Sequence, residues 1–235
     1  MPRWQQQSDL WQLHPDGAAR GLIEFIGGSY LSATPQLSYR RLLEALAALG
    51  WRIHAWSYVP GFDHQQQANQ AWRRFRAARS DVDPPPLRLG HSLGCKLHLL
   101  APDDGRGCSG LVALSFNNFS AERSVPLLAE LGQQFNFRSE FSPSPQETLE
   151  QISRCYGQPR NLLVRFQRDG IDQSARLLAT LQRRPGDRSE LMELPGDHLT
   201  PSSAGLRRQL LGAWADDPSR QRATERLAES ISRWA

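Results

Sequence analysis

Gly90-His91-Ser92-Leu93-Gly94 is a G-x-S-x-G pentapeptide set between an apolar run and an apolar helical pattern. A serine on a tight strand-to-helix turn is held in a strained backbone conformation with its hydroxyl standing free. Small residues two before and two after it let the strand and the helix approach closely. Such a serine needs a general base, and the base needs an orienting acid, taken in the chain order Ser, acid, His. Two histidines follow Ser92. His98 falls inside the apolar helix and reads as core packing. His198, in Leu194-Pro195-Gly196-Asp197-His198-Leu199, falls in a glycine-containing loop after a strand, where a base can reach the serine. Asp169, three residues past the apolar run Leu162–Phe166, is the expected acid, with Asp172 as the alternative. Asp172 otherwise caps the helix that starts near Gln173. An oxyanion hole needs two backbone N–H donors. Leu93 supplies one, and Gly28 or Ser29, after Phe25-Ile26-Gly27-Gly28, supplies the other, because paired glycines let the backbone approach a substrate.

The elements that must carry these residues alternate in type, which predicts an α/β fold with a mostly parallel central sheet flanked by helices. Strands are expected at Trp11–His14 and Gly21–Ile26, joined by a Pro15-Asp16-Gly17 turn, then at Arg52–Trp56, Leu87–Gly90, Leu111–Phe116, Asn161–Phe166 and Glu190–Leu194. Ser38–Leu49 reads as a helix closed by Gly50. A polar, Gln-rich helix runs from about Asp63, a plausible N-cap, to Arg79. Asp83-Pro84-Pro85-Pro86 breaks the chain before the next strand. Leu93–Leu100 is an almost wholly apolar helix that belongs under the sheet. The strand rhythm stops between Asn117 and Pro159, so 117–159 reads as a cap-like insertion over the sheet, within a single domain spanning 1–235. The last helix places Ala223, Leu227, Ile231 and Trp234 on one face.

With 235 residues, the chain is long enough to bury a core without a disulfide or metal staple. Apolar residues make up 39% and charged residues 22%, which excludes a disordered or membranous chain. The apolar run near Leu42–Leu49 is interrupted by Glu44 and is too short to span a bilayer. No secretory signal is visible at the N-terminus. Three cysteines, Cys95, Cys108 and Cys155, without C-x-x-C spacing fit neither a disulfide framework nor a zinc site and suit a reducing cytoplasm. The net charge of +4 is no nucleic-acid signal: all but one of the 28 basic residues are Arg, spread along the chain without interleaved aromatics. No metal or organic cofactor is called for.

The pentapeptide, the Gly27-Gly28 loop and the order Ser92, Asp169, His198 resemble the α/β-hydrolase superfamily over most of the chain. Phe25–Gly28, Pro35–Arg40, Phe62-Asp63-His64, Gly90–Leu100, Ser115–Asn118 and Gly196–Pro201 are together similar to one uncharacterised branch of it, the DUF1350 family of cyanobacteria and plant chloroplasts. The resemblance implies the hydrolase fold and a Ser-His-Asp triad, and leaves the substrate open. The expected function is a serine hydrolase acting on a small ester, thioester or lipid-like acyl substrate. The alternative is a catalytically silent binding or assembly protein on the same fold. Phe116, Phe119, Phe135, Phe137 and Phe141 are candidates for an acyl pocket, and His64 and His91 for substrate contacts, with His64 otherwise exposed beside the capping Asp63. Lys96, the only lysine, either pairs with an acid or snorkels out of the core.

Overall fold

The computed structural model describes residues 3–29, 31–80, 83–121, 140–202 and 218–235. Eight strands form one sheet: β1 (Trp4–Gln7), β2 (Leu10–Leu13), β3 (Gly21–Ile26), β4 (Trp51–Trp56), β5 (Leu87–His91), β6 (Gly110–Leu114), β7 (Asn161–Phe166) and β8 (Glu190–Leu194). Their order is β1-β2-β4-β3-β5-β6-β7-β8. From β4 to β8 every pairing is parallel, while β1 and β2 add an antiparallel hairpin at the β4 edge. The helices are α1 (Pro35–Ser38), α2 (Arg40–Ala48), α3 (His64–Ala78), α4 (Leu93–Leu99), α5 (Pro145–Cys155), α6 (Ser174–Leu181) and α7 (Pro218–Trp234). None in the described residues is long and apolar enough to cross a membrane.

The period of two along each strand divides the core into two layers. Ile23 and Phe25 of β3, Leu87 and Leu89 of β5, and Val112 and Leu114 of β6 face α2 and α7, packing on Leu42, Leu43, Leu46, Leu227 and Ile231. On the other face Ile26 meets Ala68, Ala71 and Phe75 of α3 and Leu93 and Leu97 of α4. Leu111, Ala113 and Leu163 pack there on Leu99, Ile152, Leu177 and Leu181, from α4, α5 and α6. Helices on both faces make parallel strands apolar on both sides, and this is why β5, β6 and most of β7 are buried along their length.

The Pro15-Asp16-Gly17 segment joins β2 and β3 without making them neighbours: β2 pairs with β4, and β3 lies inside the sheet. The Gln-rich stretch before it is a strand, β1, paired with β2 around Ser8 at φ 58°. The helix expected over Ser38–Leu49 is broken at Tyr39 into α1 and α2. Within 117–159, α5 is the crossover helix between parallel β6 and β7, and Ile152 packs into the layer below the sheet. Phe135 and Phe137 lie outside the described residues.

Candidate active site

Ser92, Leu93, Asp169, His198, Gly28 and Ser29 lie beyond the carboxyl ends of the parallel strands, where open α/β sheets bind ligands. Ser92 follows β5 at φ 54° and ψ −119°, a backbone region that L-residues rarely occupy. Two glycines make that turn sterically possible. A Cβ on Gly94 would strike the Ile26 carbonyl oxygen, and one on Gly90 would lie 2.6 Å from the Cys95 nitrogen. The turn is fixed from below by the Ser92 N–H, which donates to Leu114 O at 2.9 Å.

His198 follows β8 and Asp169 follows β7, and the two loops are joined through their backbones. Gln167 N donates to Leu194 O at 3.0 Å and Arg168 N to Gly196 O at 2.9 Å. Gly196, at φ 143°, turns the base loop, and Asp197 N donates to Thr200 Oγ1 at 2.8 Å to close it. This brings His198 Nδ1 to 2.8 Å from Asp169 Oδ2 and His198 Nε2 to 3.1 Å from Ser92 Oγ. A carboxylate can only accept, so Nδ1 carries the proton and Nε2 presents its lone pair to the serine. Asp169 Oδ1 accepts from Ile171 N at 3.1 Å. Burial alone would lift this carboxyl. The hydrogen bond from His198 and the nearby Ser115 hydroxyl, which falls short of hydrogen-bond geometry itself, hold it below the usual range. Asp172 is not brought to His198. Both its oxygens are engaged by Ser174, N at 2.9 Å and Oγ at 2.8 Å, at the start of α6.

His91 lines the candidate cavity, and both its ring nitrogens are occupied. Nε2 lies 2.8 Å from His198 O and Nδ1 lies 2.8 Å from the Tyr39 hydroxyl. The His198 carbonyl can only accept, so His91 Nε2 donates, and Nδ1 is left to accept from Tyr39. The Tyr39 oxygen in turn accepts from Gly28 N at 2.8 Å. A directed chain therefore runs from Gly28 N–H through Tyr39 and His91 to the backbone of the base. Burial first, then the neighbouring His198, pushes His91 down to about 3, so it stays neutral and keeps this polarity. Two consequences follow. Gly28 cannot serve as an oxyanion donor, because its N–H is taken; Ser29 is the remaining choice beside Leu93. Gly28 is instead the point of closest approach, where a Cβ would sit 3.1 Å from the Ser92 Cβ. Tyr39 carried no polar signal in the sequence, because an aromatic in an apolar helical pattern reads as core.

Ser92, His198, Leu93, Gly28 and Ser29 line a cavity of about 490 Å³, within the range of small-molecule sites. Phe119, Phe141, Leu31 and Ile171 supply its apolar walls, while Phe116 packs into the core below the sheet. His64 also lines the cavity and is buried, contrary to the exposed alternative, with its ring stacked on Phe141 at 4.2 Å. Asp63 caps α3 as expected, accepting from Gln66 N at 2.8 Å. The sequence reading of Lys96 also changes. It neither pairs with an acid among the described residues nor reaches water; it is buried, lines this cavity, and donates to Pro143 O at 2.9 Å. No group of three or more His, Cys, Asp or Glu among the described residues is placed to hold a metal ion.

The architecture is that of an α/β-hydrolase. It matches a monoacylglycerol lipase from Paleococcus ferrophilus with a TM-score of 0.61 at 15% identity, over 96% of this chain and 99% of that one. It matches a dienelactone hydrolase from Anabaena variabilis with a TM-score of 0.61 at 15% identity, over 99% and 96%. An esterase domain from Rhodothermus marinus aligns with a TM-score of 0.59 at 18% identity, over 96% and 91%. At such identities the likeness speaks for the fold. Among curated proteins none matches in sequence. Residues 3–216 match the model of DUF1350, described as a protein of unknown function, and the chain belongs to that family.

Proposed function

We propose that this protein is a serine hydrolase that cleaves a small ester, thioester or lipid-like acyl substrate through an acyl-enzyme. The observation that carries the reading is His198, which bridges Ser92 at 3.1 Å and Asp169 at 2.8 Å at the edge of a largely apolar cavity. Ser92 Oγ attacks the acyl carbon as its proton passes to His198 Nε2. The Leu93 and Ser29 N–H groups receive the charge that develops on the carbonyl oxygen. His198 then returns the proton to the leaving alkoxide or thiolate, and the acyl group stays on Ser92. A water, deprotonated by the same nitrogen, releases the acid. Asp169 holds the imidazole in the productive tautomer and stabilises its cation. The fold neighbours named as a lipase and an esterase support the choice of acyl substrates over other chemistries.

The test is labelling with a fluorophosphonate probe. The wild type is expected to label, and Ser92→Ala and His198→Ala are not. Losses of either group in a serine hydrolase reach on the order of a million-fold. A folded wild type that resists both a large and a small probe would overturn the reading in favour of a binding protein.

A further inference from the structure

Among the described residues that line the cavity, Lys96 is the one charged side chain that the acyl chemistry above does not use. In a chain whose other basic residues are all Arg, this single lysine has a side chain 1% exposed. It lies four positions after Ser92, on the helix that the serine caps, and both residues line the same cavity. Side chains on a helix lean toward its N-terminus, which carries the ammonium toward the Ser92 end. One of its three N–H groups is used, by Pro143 O at 2.9 Å, and the Phe141 ring centre lies 5.9 Å away.

Among the described residues no carboxylate comes within 4.0 Å of Lys96 Nζ. The two acids whose fields reach it are held elsewhere. Glu140 Oε1 accepts from Ala121 N and Phe141 N, both at 2.8 Å. Glu147 closes a capping box with Ser144 at the start of α5. Burial pulls Lys96 down to about 8 against the smaller opposing pull of Glu140 and Glu147, so it remains charged near neutral pH. A buried ammonium without a counter-charge is costly to the fold, and an anion entering the cavity relieves that cost.

The surroundings narrow the anion. Lys96 is the only Lys or Arg lining the cavity among the described residues. His64 is neutral, held at about 3 by burial first and then by Lys96 itself, and His91 is neutral as well. One fixed positive charge within apolar walls matches a monoanion. A carboxylate fits better than a doubly charged phosphate, for which no second cation is present among the described residues. Among the described residues, two buried atoms on side chains that line the cavity, His64 Nδ1 and the acceptor Asn118 Oδ1, have no hydrogen-bond partner. The wall that carries Phe141 is tied to the start of α3 through Ser142 N to Phe62 O at 2.9 Å and Gln65 N to Ser142 O at 3.1 Å. That wall and α4 thus hold the ammonium in a fixed place relative to the atom that would carry the acyl group.

The geometry points to a carboxylate subsite at Lys96, and hence to a substrate whose acyl part carries its own carboxylate a few bonds from the scissile carbonyl. This deepens the hydrolase reading and rests on it. The test compares p-nitrophenyl butyrate with mono-p-nitrophenyl glutarate, which differ by the terminal carboxylate. In the wild type kcat/KM is expected to favour the glutarate ester by roughly 10- to 100-fold, the range of a hydrogen bond to a charged group. Lys96→Gln keeps a donor for Pro143 O but removes the charge, and Lys96→Met removes both. In each variant the ratio of the two esters, which cancels any general loss of activity, should fall close to one.

If Lys96 is only a strut for the Pro143 loop, the Gln variant retains the wild-type ratio, and the proposal fails. Equal use of both esters by an active wild type also overturns the subsite while leaving the hydrolase intact. If neither ester is cleaved, the hydrolase reading is at fault, and calorimetry with glutarate on Ser92→Ala still decides the subsite. Glutarate binding that disappears when Lys96→Gln is added supports it, and binding that is absent or indifferent to Lys96 overturns it.

Discussion

Strands β3 and β5 each carry two kinds of buried polarity. Halfway along, on the α3 and α4 side, Glu24 and Arg88 lie 3.8 Å apart. Arg88 holds Asp103 through two hydrogen bonds of 2.9 and 2.6 Å, Arg79 lies 3.2 Å from Glu24, and Asp103 also accepts from Gly105 N and Gly107 N. The space beside this cluster is about 10 Å³, room for no more than a water. A few residues further on, the same strands lead into the Gly28 and Ser92 turns and the 490 Å³ cavity. Both regions hold strongly shifted groups. Burial lifts Glu24 to about 7 against the pull of Arg79 and Arg88, and it lowers His98 to about 3 in one region and His91 in the other. A shifted group therefore does not mark a functional site on its own. The distinguishing features are open volume and the pairing of the cations: the inner cluster sets Arg79 and Arg88 against carboxylates, and among the described residues the outer one leaves Lys96 without one.

Substitutions should separate the two regions. Ser92→Ala is expected to abolish probe labelling with the unfolding midpoint in denaturant almost unchanged. Arg88→Met should do the reverse. Removing one partner from a buried ion cluster costs about 3–5 kcal/mol of stability, measurable by urea titration, while the fraction that stays folded should still label. Loss of labelling in folded Arg88→Met would show that the two clusters are coupled. Tyr39→Phe probes the chain between Gly28 and His198. It strands the Gly28 N–H and His91 Nδ1, so about 1–3 kcal/mol of stability should be lost. As a positioning residue Tyr39 should lower kcat more than it raises KM, by roughly tenfold; a pure KM effect would argue against that role. The smallest effect concerns pH. Lys96, facing Glu140, Glu147 and a neutral His64, loses its proton as pH rises through about 8. The preference for the glutarate ester over the butyrate ester should therefore be full below that pH and decline above it, whereas a flat ratio from pH 7 to 9.5 would remove Lys96 from substrate recognition.

The parts of the site that could be read from sequence are those with local causes. The pentapeptide states its own turn, and Asp169 and His198 follow from their offsets after apolar runs. Asp172 is the alternative acid in the sequence, set behind Asp169 because it can cap the helix near Gln173, and Ser174 at the start of that helix engages both its oxygens. What escaped depends on contacts across the fold. Gly28 reads as an oxyanion donor until Tyr39, from a different element, takes its N–H. His91 looks like a substrate ligand until both its nitrogens are found bonded to neighbours far away in sequence. Of the fold, the buried parallel strands were plain from their apolar runs. The strand β1 was hidden because an exposed Gln-rich edge shows no alternation to detect.

Gly94 presses α4 against the end of β3 so closely that no side chain fits between the helix and the Ile26 carbonyl. Gly28, two residues beyond that carbonyl, comes nearly as close to Ser92. The nucleophile and the loop expected to receive the developing charge are thus separated by little more than backbone, with no flexible side chain between them to stretch or compress. Their spacing is set by backbone packed directly on backbone and is present before any ligand arrives. In such a molecule selectivity is left to the rest of the lining, which includes Phe141 and Lys96.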